Sequence, residues 1–278
     1  MFTAPIDGIL IFRGKRRIRL IAPAQIASPL CVIYRPAALP DTGAGALLPL
    51  SRRDGCARAR LWKDSAAMAE FRWYGHNCFR IRGKDAVVMT DPVGKGTGFS
   101  LAKQTADVVT VSSAQPELAN LAAVKPEFDT IDGPGEYEIH DVFVTGIRTH
   151  RDEELGTVRG HNTSYLIELD GMVICHLGDL GHALTEEHAE AMTDVDVLLI
   201  PAGSRHLDPA RAAEIAGQLT PKVVIPMQYA SGSGDRDLLG LESFCRNLGV
   251  AVPAAEEKLT VKPSDLGDTM RLVVLAVS

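Results

Sequence analysis

The sequence predicts an α/β (α+β) protein of two sheets with helices on their outer faces, on three observations. Short β-branched and aromatic runs, punctuated by Gly, Pro, Asn and Asp, crowd residues 71–176. Beyond residue 184 apolar runs alternate with amphipathic segments that carry helix-start signals. With 46% apolar and 23% charged residues among 278, the chain has the composition of a globular protein with a sizeable core. Strand-rich sequence that later alternates with helices packs as sheets covered by helices.

The elements follow in order. Residues 71–74 and 78–81 read as strands around Gly75-His76-Asn77, and 86–90 as a third that ends at Asp91-Pro92. Three glycines make 94–100 a loop; 107–112 is an apolar strand and 116–124 a short helix. Strands near Thr130, at 137–139 and at 142–147 flank the turn Asp132-Gly133-Pro134-Gly135. Residues 165–169 and 172–176 form a hairpin about Asp170-Gly171, a pair suited to a type I′ turn. Thr185 caps a helix that runs to Met192, 195–201 is a buried strand, and 208–219 is a helix with Pro209 in its first turn. A strand at 223–226, a helix over 238–248 and a final apolar strand at 270–277 complete the pattern.

Charge divides the chain in two. Residues 1–67 carry 11 Lys and Arg against 4 Asp and no Glu, a net +7; the remainder carries 18 basic and 31 acidic residues, a net −13. The first 67 residues lack sustained periodicity and read as a basic, disordered or mis-assigned extension, with Met68 opening a domain over 68–278. A targeting peptide and a basic arm for an acidic partner are the competing readings of that extension. The acidic domain disfavours nucleic acid, whose phosphates it repels. No uninterrupted apolar run reaches membrane-spanning length, so no membrane association is expected. Cys31, Cys56, Cys78, Cys175 and Cys245 are odd in number and lack metal-ligand spacing, the usage of reduced thiols in a cytoplasmic protein.

Polar residues at strand ends are the candidates for chemistry: Gly75-His76, Asp91, His150, the run from His176 through Asp179 to His182, and Gln228-Tyr229. A strand that delivers Gly-Asp-x-Gly-His presents a carboxylate on a glycine-flanked turn, where it can bind a divalent ion. The competing reading is an Asp that caps a turn, with His176 and His182 as structural histidines.

The ordered series Trp73-Tyr74-Gly75-His76-Asn77, Thr90-Asp91-Pro92, the strand at 107–112, Gly133-Pro134-Gly135-Glu136, Cys175-His176-Leu177-Gly178-Asp179, the strand ending at Pro201, and Pro226-Met227-Gln228-Tyr229 resembles the metallo-β-lactamase superfamily. More narrowly it is similar to the bacterial Zn-dependent hydrolase-like branch related to ascorbate-phosphate lactonases. The resemblance spans about 200 residues by the spacing of these anchors. It implies a four-layer αββα sandwich of two mixed sheets, and a hydrolase in which zinc or another divalent metal activates water.

Carried over position by position, the ligand set is largely replaced. The loop that would read His-x-His-x-Asp-His runs Ser113, Ala114, Gln115, Pro116, Glu117, Leu118, and the last His is Gln228. Asp179 matches the bridging carboxylate. His150 lies near the single-His position, with Arg151 the alternative one residue on, and His76 is a further ligand candidate. His182 and Tyr229 are candidates to line the cleft. Three functions follow: a non-catalytic, ligand-binding member of the fold without the dinuclear site, and with no metal; a metal-dependent hydrolase of a phosphoester or lactone with a rearranged site; or an assembly role. The partner expected is a small molecule in the family cleft, and an oligomer is compatible with the sequence.

Overall fold

Alternation in the first two strands sends every second side chain inward, while Glu70, Arg72 and Arg80 on the other face are half-buried and Arg82 is exposed. In the computed structural model, which describes residues 67–278 apart from 233, 235 and 236, Phe71, Trp73, Phe79, Ile81, Val88 and Val108 face a large central core. Cys78, Met89, Val109 and Val111 face a second, smaller one with Val93, Phe99 and Val124. In the strands over 87–90 and 108–110 a period of two therefore supplies both cores, Val88 and Val108 to one and Met89 and Val109 to the other. The readings of residues 1–66 fall outside the described residues.

The strands are β1 (Ala69–Trp73), β2 (Phe79–Arg82), β3 (Val87–Thr90), β4 (Val108–Thr110), β5 (Asp129–Ile131), β6 (Gly135–Ile139), β7 (Val142–His150), β8 (His161–Leu169), β9 (Met172–His176), β10 (Val197–Pro201), β11 (Val223–Met227), β12 (Leu259–Val261) and β13 (Arg271–Leu272). The helices are α1 (Glu186–Ala191), α2 (Pro209–Leu219) and α3 (Glu242–Asn247). One sheet has the order β12-β1-β2-β3-β4-β5 and the other β13-β11-β10-β9-β8-β7-β6. Both are mixed: β3-β4-β5 and β9-β10-β11-β13 run parallel, and the remaining pairs are antiparallel. Between the sheets lie the fully buried Trp73, Phe71, Tyr165 and Ile167, each contributing roughly 1.5–3 kcal/mol through its buried apolar surface. Tyr165 also pins one sheet to the other, donating its hydroxyl to Val111 O at 2.7 Å.

On the outer face of the seven-stranded sheet α2 packs against β10 and α3 against α2. Six buried apolar positions on α2, among them Ala212, Ile215, Ala216 and Leu219, form its inner stripe. Thr185 caps α1 in a capping box with His188, and Asp208 caps α2 by accepting from Ala210 N. The hairpin between β8 and β9 turns on Asp170 and Gly171 at φ 50° and 75°, as a type I′ turn requires.

Three expected elements differ. Residues 116–124 form two 3₁₀ turns, Pro116–Leu118 and Leu121–Ala123, and not an α-helix. Asn120 sits between them at ψ 65°, and Pro126 keeps Lys125 from continuing the turn. The last helix starts only at Glu242 because Leu239 is bound through its backbone on both sides, to Gly203 O and from Ala230 N. The final apolar run is split among partners: Arg271–Leu272 pairs with β11, Leu275 bridges to Glu256 and Val277 to Trp73.

Candidate functional site

Five strand ends and one turn converge at one rim of the sandwich. Asp91 follows β3, Ser112 follows β4, Arg151 follows β7, Asp179 follows β9, Gln228 follows β11, and Asn77 lies in the β1–β2 turn. Side chains held on strand ends are fixed by the ladders beneath them, which is why sandwich folds place sites there. Close approach depends on Gly178, at φ +63°; a Cβ there would lie 2.5 Å from the Ser112 Cβ and 2.6 Å from Asn162 Oδ1. Gly181 packs on the Arg151 carbonyl, which a Cβ would meet at 2.1 Å.

Asp179 is the hub. Its Oδ2 accepts from Arg151 Nε at 2.5 Å, and its Oδ1 accepts from Gln228 Nε2 at 3.0 Å. Gln228 Nε2 also donates to Asn77 Oδ1. Asn162 Oδ1 accepts from Asp179 N at 2.8 Å, while its Nδ2 donates to Leu177 O and Thr149 Oγ1. Arg151 Nη1 is anchored on Arg159 O at 2.7 Å. The Arg151 and Asp179 side chains are 10% and 4% exposed, so this ion pair is sheltered from solvent screening.

Beside this hub Asp91 accepts from Ser112 N and is hydrogen-bonded to Ser112 Oγ, both at 2.6 Å. Burial pushes the Asp91 carboxyl up to about 7; the bonds from Ser112 and the nearby Asn77 amide hold it down, and the charge of Asp179 raises it. His176 is fully buried, which pushes its imidazole down to about 4, against a hydrogen bond between its Nε2 and Asn77 O. Cys78 and Cys175 are buried thiols raised to about 12 by desolvation, inert as nucleophiles near neutrality.

The residues singled out in the sequence separate into those the rim brings together and those it does not. Asp179 and Gln228 touch. Arg151, and not His150, reaches Asp179: β7 and β8 pair with His150 opposite His161, so the two neighbours point apart at the strand end. His76 is half-buried in the β1–β2 turn, and its carbonyl accepts from Trp73 Nε1 and Gln228 N. Ser113 is buried with its Oγ unpartnered, Gln115 is half-buried, Glu117 is exposed, and Leu118 is buried. His182 lies on His150, accepting from its backbone N–H. Tyr229 is a core residue stacked on Trp73 at 4.8 Å, its hydroxyl donated to Leu275 O at 2.9 Å. Sequence reasoning missed Ser112, Asn77 and Asn162. The polar run His161-Asn162-Thr163-Ser164 inside a strand with apolar neighbours was the signal for the last.

A divalent metal does not fit the donors at this rim. Zinc favours imidazole and thiolate, whereas the positions that resemble the family's ligands hold Ser113, Gln115, Glu117, Leu118, Arg151 and Gln228 beside Asp179; Glu117 is exposed, and the guanidinium already neutralises the Asp179 carboxylate. Among the described residues no group of three or more His, Cys, Asp or Glu is arranged to hold an ion. What this arrangement can do is bind by charge and hydrogen bonds.

The layered sheets and the carboxylate at the end of β9 define a class, and a family model of the beta-lactamase superfamily domain matches residues 70–228. The chain belongs to the metallo-β-lactamase superfamily. It is 31% identical over 184 residues to a UPF0173 metal-dependent hydrolase of Thermoplasma acidophilum, spanning 56% of this chain and 81% of that protein. A second relative, a UPF0173 metal-dependent hydrolase of Thermoplasma volcanium, is 29% identical over 216 residues, 66% of this chain and 96% of its own length. Among solved structures, a candidate Zn-dependent hydrolase of the superfamily from Thermotoga maritima aligns with TM-score 0.61 and 31% identity, over 76% of this chain and all of that one. A metallo hydrolase from Ignicoccus hospitalis aligns with TM-score 0.54 at 18% identity, over 70% and 99% of the two chains, a likeness of fold.

Proposed function

We propose that this chain is a metallo-β-lactamase-fold protein that does not run the family's dinuclear metal chemistry, and that its strand-end rim binds a small ligand without hydrolysing it. The observation that carries this reading is the bond from Arg151 Nε to Asp179 Oδ2 at 2.5 Å. A guanidinium placed on the bridging carboxylate supplies the positive charge that a metal would supply, but it has no open coordination position and cannot lower the pKa of a water as a metal does. Gln228 occupies the second oxygen, so Asp179 is committed to protein donors on both sides. The buried, unpaired Cys78, Cys175 and Cys245 support a reducing compartment such as the cytoplasm.

A second reading, a metal-dependent hydrolase of phosphoesters or lactones with rearranged ligands, draws on the descriptions of the relatives. One experiment separates the two. The full chain is equilibrated with Zn²⁺ or Mn²⁺, desalted, and assayed for bound metal and for hydrolysis of nitrophenyl phosphodiester and lactone substrates. Beside it runs the variant Ser113→His, Gln115→His, Leu118→His, Arg151→His, Gln228→His. The expected result is no turnover by the unmodified chain and no ion whose retention depends on Asp179, with metal gained by the variant. Metal-dependent turnover by the unmodified chain that Asp179→Asn abolishes would overturn the proposal.

A further inference from the structure

Four of the chain's eight histidines gather in one file on the surface beside the rim. Ring centroids are 5.4 Å apart for His150 and His161, 5.5 Å for His150 and His182, and 5.4 Å for His182 and His188. Hydrogen bonding divides the four into two pairs. His182 Nε2 accepts from the His150 backbone N–H at 3.1 Å, which leaves its Nδ1 to donate to Ala183 O at 2.6 Å. His188 Nε2 donates to Arg148 O at 3.1 Å, and its Nδ1 accepts from Thr185 N in the capping box. Each thereby has both ring nitrogens engaged with backbone groups.

His150 and His161 are arranged otherwise. They are direct cross-strand partners on β7 and β8, with their Nδ1 atoms hydrogen-bonded to each other at 3.3 Å, so that an ion bound between them would take the place of the proton they share. Two imidazole nitrogens bound to one tetrahedral zinc at about 2.0–2.1 Å lie roughly 3.3–3.4 Å apart. Register fixes the two backbones, and His182 clamps the His150 N–H, so this spacing is preset. Space beside the pair is kept by a second residue: Gly156 lies against His161, where a Cβ would stand 2.9 Å from Nδ1. His161 is exposed and open to solvent that would complete the coordination.

We propose that His150 and His161 form a two-imidazole clip for a divalent first-row ion with tetrahedral preference, zinc above all, on the outside of the domain and separate from the Asp179 centre. The ion would join β7 to β8 at the base of the loop over residues 151–160. Arg151, the first residue of that loop, holds Asp179, so the clip fastens the segment that carries the site's cation. Two protein ligands plus water make a weaker and more exchangeable site than a closed three- or four-ligand one, suited to response and not to permanent structure.

The test is a calorimetric titration of the full chain with Zn²⁺ at pH 7.5, paired with ¹⁵N spectra of the histidine rings. The expected result is one ion per chain, with shifts at Nδ1 of His150 and His161 and none at His176, and a melting temperature that rises with zinc concentration. His161→Ala, at an exposed position that should fold normally, should weaken binding at least tenfold and remove the thermal shift; His140→Ala should change neither. Zinc shifts confined to other rings, or equal affinity in His161→Ala, would overturn the clip. Binding that survives His161→Ala but disappears in Asp179→Asn would instead refute the metal-free reading of the rim, so the two proposals fail separately.

Discussion

Asp91 and Ser112 are joined twice, the backbone N–H and the hydroxyl of Ser112 each meeting one carboxyl oxygen at 2.6 Å. The pair ties the end of β3 to the end of β4 directly under the Asp179 centre. Its protonation is set by burial, and stability should follow.

Burial raises the folded carboxyl to about 7 from an ordinary 3.8. Below about pH 4 folded and unfolded chains both hold the proton. Between the two values the unfolded chain releases it and the folded chain keeps it, so stability falls as pH rises through that window and levels off above it. Asp91→Asn, which mimics the protonated acid toward Ser112, should remove this slope. Its stability relative to the unmodified chain should climb by up to about 1.4 kcal/mol per pH unit across the window. Urea unfolding at several pH values from 4 to 8 checks this; a difference independent of pH rejects it.

Arg151→Ala strands the Asp179 carboxylate in a site where its side chain is 4% exposed. Losing one partner of a buried pair costs about 3–5 kcal/mol. The double variant Arg151→Met with Asp179→Asn removes both charges of this pair and should recover at least half of that loss. Chemical denaturation of the three proteins gives the comparison, and a double variant less stable than the single one contradicts it.

Gly178→Ala combines a left-handed backbone with a Cβ 2.5 Å from that of Ser112. Neither the Ser112 backbone nor Asn162, fixed by three bonds of its own side chain, can retreat. The expected cost is at least ~2 kcal/mol, more than strain of φ alone would give. Thermal unfolding reads it directly; an unchanged melting temperature would show that the rim yields.

Tyr165→Phe keeps the ring that fills the space between the sheets and removes the hydroxyl that donates to Val111 O at 2.7 Å. An orphaned buried carbonyl costs about 1–3 kcal/mol. Hydrogen exchange should also quicken at Thr163, whose amide bonds Ser112 O, if the hydroxyl holds the two sheets in register.

How much of this was legible depends on how local each signal was. Met172–His176 was read to its correct ends, because Asp170-Gly171 marks one side and the glycine at 178 the other. Leu259–Val261 was missed: three residues after Glu256-Glu257-Lys258 carry no pattern of their own and become a strand only by pairing with β1 from the far end of the chain. The two-sheet class was legible because alternation and helix caps repeat along the whole domain. At the site, Asp179 stood out on its glycine-flanked turn and Gln228 through the family resemblance, and the two touch. The choice between His150 and Arg151 could not, since it rests on the β7–β8 register, which no local spacing encodes. Thr185 was legible as a cap, but its partner His188 was not, because Glu187 one residue earlier fits the usual acidic helix start equally well.

A cation attached through its own backbone, as Arg151 is, cannot be lost to a chelator or to scarcity. Relatives that hold a metal at this rim would acquire part of their folded-state stability from whatever the cell's ion supply allows. Here the charge that meets Asp179 arrives with translation, as the guanidinium of a residue in the same chain.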